Sequence, residues 1–496
     1  MARGLADGVL HPRWMSEANR GFGSAALMNY PPLGGYLVGA ISLLTGDLVS
    51  AFHFVLLLMT ALSGAAFYVC ARSFAPPLVS ALASILYLLA PYRMIDLHAR
   101  FAFAEVLAFL WLPLIVKFLL DLRERPSLAS WTGLVAASTG LALTHVLTAF
   151  MVLVVVGPVV AWIVLRDRQW KGMVGLALAA VATFALAAAY LLPLLVERGL
   201  TYTEFLTDAG WGEWRTNFLF LQPTDPGAVT LPIRPLVEMS FWYAVGLIIV
   251  SAAFAIRVKG RGTGMLLAAS AIAIGLQLSI SAVIWRLIPG MDLLQFPWRF
   301  QSLLVLLSCL LAATAAAKIR WSSGSLIGVA VAGAVFFALF LWRGIAYDVT
   351  ATSLEQAEIA GLVYKEHMPR GVEEWRLFER LPLDGAPLVA TSSPAQVEVQ
   401  EWSSHRREMG VTTGEPTQVA LRTFYYPGWS ASLDGQPAAI EVLSPLHTLA
   451  VSVPSGAHHL EVRFGPSPIR VVGSILSLLT AGLLILANLR YRRTSS

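Results

Sequence analysis

The sequence predicts an α-helical polytopic membrane protein of about eleven spans, carrying a C-terminal extracytoplasmic β-domain of sandwich or jelly-roll type. Three observations predict it. Only 13% of the residues are charged while 57% are hydrophobic, and mean hydropathy is +0.68; soluble domains average about 25% charged. Apolar runs close to the ~20 residues that cross hydrocarbon recur along the chain. From Ala346 to Pro468 the composition turns polar, with Pro, Gly and β-branched residues.

Residues 1–30 are polar and mixed in charge, without the pattern of a secretory signal. The apolar run Leu33–Leu44 is short and follows Tyr30-Pro-Pro, so an interfacial helix on the outer surface fits it better than a span. Spans are expected at 51–71, 76–91, 101–120, 172–194, 237–256, 264–283, 299–317, 324–342 and 469–489. The uncharged run Leu128–Leu165 is too long for one pass and reads as two, meeting near Thr144-His145. The basic loops test that reading. Arg72, Arg123 with Arg125, Arg166–Lys171, Arg257–Arg261, Lys318–Arg320 and Arg490–Arg493 fall on one side only if 128–165 is a hairpin. The positive-inside rule makes that side cytoplasmic.

The organisation that follows is a first external loop over 1–50, a membrane domain over 51–342, an extracytoplasmic β-rich domain over 343–468, and a final helix with a basic cytoplasmic tail over 469–496. The protein belongs in the cell (inner or plasma) membrane. Because the first span runs inward, residues 1–50 lie outside with nothing to translocate them, and the expectation is that an upstream helix is missing. The net charge of +5 sits in short loops that set orientation, so no nucleic-acid partner is implied.

In the polar segment, alternating runs at Gln396–Glu401, Gln418–Phe424, Trp429–Leu433, Ala438–Val442, Thr448–Val453 and His459–Phe464 are separated by turn signals such as Asp434-Gly435. His458 and His459 are neighbours on a strand and point to opposite faces, which argues against a shared metal. Cys70 and Cys309 both lie in apolar runs and read as small packing residues.

The residues that carry chemistry cluster at the external ends of spans. Arg93, Asp96 and Arg100 are spaced i,i+3 and i,i+4, a ladder of alternating charge on a helix; a solvated helix end would show the same pattern. Glu105 lies inside an apolar run, where an ionisable group by default marks a functional site, although a structural pair with Arg100 also satisfies it. Arg13, Trp14 and Tyr30 combine with nearby glycines on the amino-terminal loop, either as interfacial anchors or as a frame for a sugar or lipid headgroup. His145 at the hairpin tip is a packing residue or a ligand contact. Arg299 stands beside aromatics at the outer end of a span. Arginine suits bidentate phosphate recognition. The loops thus offer arginines for an anion, carboxylates for base work and aromatics for a ring. No phosphate-binding glycine loop, dinucleotide fingerprint, Gly-x-Ser-x-Gly elbow or His-Glu-x-x-His motif is present.

The stretches GVLHPRW (8–14), NYPPL (29–33), YRMIDLHAR (92–100) followed by Glu105, LTHVL (143–147), QFPWRF (295–300) and YPGW (426–429) occur in this order. Together they resemble bacterial multispanning proteins labelled 6-pyruvoyl-tetrahydropterin synthase-related, which look like members of the C-type (GT-C) glycosyltransferase superfamily. The pterin label implies no activity here, because pterin synthases are small soluble zinc enzymes and this chain has no His cluster for that metal. The superfamily resemblance implies transfer of a sugar from a polyprenyl-phosphate donor on the outer membrane face. It implies Asp96 as a second-loop acid, Arg93 and Arg100 as phosphate partners, and Glu105 orienting one of those arginines. A divalent metal is the one cofactor it admits. The chain departs from the pattern in lacking the first helix and the acidic residue that follows it, with Asp7 too close to Pro12-Arg13-Trp14 to replace that acid. A non-catalytic protein that binds or presents a lipid-linked glycan is the alternative. A transporter ranks last: Gln277 is a rare polar residue deep in a span, and no inverted repeat is visible.

Overall fold

The computed structural model describes residues 1–168, 170–207, 212–221, 233–257, 262–318, 365–373 and 387–495. The span expected at 324–342, most of the Arg257–Arg261 loop and the start of the polar segment lie outside these residues. Among the described residues, six helices are long and apolar enough to cross a membrane, and nine passes result if each of three interrupted pairs counts as one. The six are Leu48–Ala71, Phe103–Glu124, Val146–Arg166, Arg234–Phe254, Pro297–Ala316 and Pro468–Tyr491.

Local chemistry explains the first of these interruptions and two other helix boundaries. Pro77–Leu88 stops short of Pro91, which cannot donate an amide hydrogen bond and opens the next helix instead. The uncharged run divides where expected, into Leu128–Thr144 and Val146–Arg166, with His145 between them in an extended conformation at φ −154° and ψ 93°. The short apolar run forms a 14-residue helix, Pro32–Thr45, that ends on Gly46 in the left-handed region.

Chain contacts gather into two compact units. One comprises His53–Leu186, Leu206–Thr350 and Thr480–Ser496. Its core centres on the helix Gln301–Ala316, which is buried on nearly every face. Cys70 and Cys309 are buried there and unbonded.

The other unit comprises Met1–Phe52, Ala187–Phe205 and Ala351–Leu479. Among the described residues it holds nine strands: β1 (Val389–Thr391), β2 (Ala395–Trp402), β3 (Arg406–Thr413), β4 (Thr417–Phe424), β5 (Trp429–Leu433), β6 (Gln436–Ala438), β7 (Ile440–Leu443), β8 (Thr448–Val453) and β9 (Gly456–Phe464). They form two antiparallel sheets, ordered β1-β4-β8-β7 and β2-β3-β9-β5-β6. Inward residues of both sheets, among them Val419, Leu421 and Val451 from one and Met409, Leu460 and Val462 from the other, share one core. That is a β-sandwich. The Asp434-Gly435 turn between β5 and β6 has both residues at positive φ, 50° and 78°, the geometry that two-residue hairpins favour. The amino-terminal segment completes the core. Trp14 is buried against Tyr426, Trp429 and Phe464, and the amide of Phe424 donates to the carbonyl of Phe22 at 2.8 Å.

Candidate functional site

The site begins with a backbone irregularity. After the short helix Pro91–Met94 the chain makes a five-residue π-turn, Ile95–Ala99. Phe101 then sits at φ 51°, a left-handed conformation that is an outlier for a bulky side chain, before the helix Phe103–Ala108 starts. π-Bulges and left-handed non-glycine residues concentrate at functional sites. Here the irregularity folds Arg100 back over its neighbours. Its guanidinium pairs with Asp96, reaches Glu105 Oε2 at 3.1 Å, and donates to the Tyr92 hydroxyl at 3.1 Å. That hydroxyl donates in turn to Glu105 Oε1 at 2.9 Å. The Arg100 guanidinium also lies 4.5 Å from the centre of the Trp298 ring.

A second strained segment brings the fourth charge. Gln295 sits at φ 60° ahead of the turn Pro297–Phe300. Arg299 from that turn donates to the Leu294 carbonyl at 2.9 Å and lies 4.0 Å from Glu105 Oε2. Phe296 stacks on Trp298 at 4.9 Å, so Trp298 is held between a ring and the Arg100 cation. Two carboxylates therefore face two guanidinium groups inside a helical bundle. Asp96 and Glu105 are buried, whereas Arg100 and Arg299 keep 9% and 13% exposure. Among the described residues, Asp96 Oδ2 has no hydrogen-bond partner.

The structure thus gathers Asp96, Arg100, Glu105 and Arg299 into one network. The ladder expected from Arg93 through Asp96 to Arg100 forms only at its second step. Arg93 turns to the rings of Phe109 and Tyr87, 5.0 and 5.7 Å from their centres, and its guanidinium nitrogens have no hydrogen-bond partner among the described residues. His145 lies within electrostatic reach of Glu105, with its Nδ1 2.6 Å from Thr148 Oγ1. Arg13, Trp14 and Tyr30 belong to the other unit and are engaged one by one. Arg13 donates to the Ala189 carbonyl, Trp14 is core, and Tyr30 is 60% exposed with its edge toward His367. Sequence reading left out Tyr92 and Trp298 as site residues. The signal for Tyr92 was a phenol between apolar helices, where a hydroxyl needs a partner.

Among the described residues, no three His, Cys, Asp or Glu side chains come together as metal ligands. His458 instead pairs with Asp434 at 2.7 Å and His459 with Glu408 at 2.8 Å.

These features define a multi-helix membrane protein with a charged network among its helices and a C-terminal β-domain. Comparison with known families makes this specific: the chain belongs to the family of the 6-pyruvoyl-tetrahydropterin synthase related domain, membrane proteins whose family model matches residues 27–351. The match takes in the whole network and ends before the first β-strand. No curated protein matches the chain. No solved structure matches it either.

Proposed function

We propose that this protein is a membrane glycosyltransferase that moves a sugar from a polyprenyl-phosphate donor on the outer face of the membrane. One observation carries the reading: a buried carboxylate, Asp96, holds an oxygen without a hydrogen-bond partner among the described residues, beside a second carboxylate fixed by Arg100, Arg299 and Tyr92. Asp96 is the base. Its Oδ2 accepts the proton of the acceptor hydroxyl as that oxygen bonds to the anomeric carbon. The bond from that carbon to the lipid phosphate breaks, and the leaving phosphate takes the electron pair. Arg100 and Arg299, the two members with exposure, receive that phosphate through charge-assisted hydrogen bonds. Glu105 acts as a positioning residue, holding both arginines. In-line attack inverts the anomeric centre.

A second reading has its own support. All four charges of the network already oppose one another, so the cluster could serve as a structural lock in a protein that binds or presents a lipid-linked glycan. Lipid extracts from a strain lacking the gene separate the two. The transferase reading expects a polyprenyl-phosphate sugar to accumulate, and to disappear on complementation with the wild type but not with Asp96→Asn. Full restoration by an Asp96→Asn protein that inserts normally would remove Asp96 from the chemistry and favour the lock.

A further inference from the structure

Within the β-sandwich unit, a cavity of about 370 Å³ is lined by His11, Arg13 and His405 together with the apolar side chains of Phe464, Ile475 and Leu478. Arg13 is 6% exposed. Its guanidinium donates to the Ala189 carbonyl, and no carboxylate lies within ion-pairing distance of it among the described residues. Glu197 is an acid whose charge acts on it, but that carboxylate is already committed. Glu197 accepts from Ser467 at 2.5 Å and from Arg470 at 2.9 Å. Arg13, Arg470 and Glu197 together leave one positive charge without a counterpart.

The histidines do not supply negative charge. His405 Nε2 accepts from the Arg13 amide at 3.2 Å, which requires a neutral ring at that nitrogen. Burial, with Arg13 beside His11 and Arg407 beside His405, holds both rings neutral down to about 4. A buried cation without an acid is costly, and an anionic ligand removes that cost.

The apolar part of the lining bears on what else the ligand carries. Ile475 and Leu478 are 52% and 74% exposed on the helix Pro468–Ser495, whose first 24 residues are long and apolar enough to span a membrane. The cavity therefore opens from a buried guanidinium onto the first turns of an apolar span, the level at which headgroups give way to acyl chains. We propose that this cavity is a binding site for the phosphate headgroup of a membrane lipid, with Arg13 as the phosphate ligand and the Ile475–Leu478 face against the chain. It uses no residue of the Asp96 network and stands whether or not that network is catalytic.

The test uses the purified full-length protein in a neutral detergent, with dioctanoyl phosphatidic acid, dioctanoyl phosphatidylcholine and inorganic phosphate as probes, and thermal unfolding and native mass spectrometry as readouts. Phosphatidic acid is expected to bind and to raise the unfolding temperature. Arg13→Gln is expected to weaken it about tenfold or more, as loss of a charge-assisted phosphate contact implies. Because Arg13→Gln also removes the bond to Ala189, Ile475→Trp serves as the second variant: it fills the apolar end from a half-exposed position and should weaken phosphatidic acid without unfolding the protein. Unchanged binding in both variants, or no binding by the wild type, overturns the site. Inorganic phosphate acting as well as phosphatidic acid, or phosphatidylcholine binding equally to Arg13→Gln and wild type, overturns the lipid-phosphate assignment.

Discussion

Among the described residues, Glu197 and Arg470 form the most deeply buried ion pair of the β-sandwich unit, with side chains 8% and 3% exposed. Such a pair is weak evidence for stability as it stands, but removing one partner leaves a lone buried charge and costs about 3–5 kcal/mol. Arg470→Met is therefore expected to lower the unfolding temperature of the detergent-solubilised protein far more than Arg463→Met, whose side chain is 59% exposed. Protons act on the same unit through His11 and His405, both pushed down from 6.5 to about 4. A histidine lowered in the fold leaves stability intact above 6.5 and removes it as pH falls toward 4, since the unfolded chain takes up the proton first. His458, raised by its hydrogen bond to Asp434, has the opposite sign, its contribution fading as pH rises through its raised value. Thermal melts between pH 7 and 4 should show falling stability, and the slope should flatten in the His11→Gln/His405→Gln double variant. None of these partners was legible in the sequence, because Glu197 and Arg470, or Arg13 and His405, meet only after hundreds of intervening residues have folded. The Asp96, Arg100 and Glu105 group was legible, since its members sit within one or two turns of each other inside an apolar context that makes charge conspicuous.

Helices and most strands announced themselves through period and composition, and the exceptions have physical causes. β3 escaped notice because its inward positions run Arg407, Met409, Val411 and Thr413. The alternation opens with a buried arginine, which lies over the rings of Trp402 and Trp429 at 4.5 and 5.4 Å. The single run Ala438–Val442 is in fact two strands, β6 on one sheet and β7 on the other. An alternation of apolar residues carries no record of which sheet each half joins. The π-turn Ile95–Ala99 was equally hidden: sequence spacing assumes 3.6 residues per turn, and the inserted residue appears only in the backbone. The loop entering the sandwich supplies the prediction at this scale. Gly23 sits at φ 89°, and a Cβ there would lie 2.3 Å from Trp14 Nε1. Gly23→Ala thus combines a left-handed conformation with overpacking, and a loss of about 2–4 kcal/mol is expected. Denaturant titration followed by tryptophan fluorescence measures it; a loss below about 1 kcal/mol would mean that the loop relaxes.

For the whole molecule, the membrane class and the presence of a polar β-rich module were readable from composition, whereas the make-up of the sandwich unit was not. Its core recruits Trp14 and Phe22, residues that the local pattern assigns to a surface loop. The proposed orientation places the Asp96 network and the sandwich on the non-cytoplasmic side, from the one-sided distribution of Arg and Lys. His98 is exposed next to the network, and both native cysteines are buried. A His98→Cys variant is expected to react with a membrane-impermeant maleimide in intact cells or spheroplasts; reaction only after the cytosol is opened would reverse the topology and detach the donor from the site. The insertion of Trp14 among Tyr426, Trp429 and Phe464 also bears on biogenesis. At roughly 5–20 residues per second of synthesis, about 450 residues separate the first of these rings from the last. The indole therefore waits on the order of half a minute or longer for its pocket to exist. Premature termination anywhere before Phe464 would leave that indole short of at least one of its three ring partners, giving quality-control proteases a handle at the opposite end of the chain from the lesion.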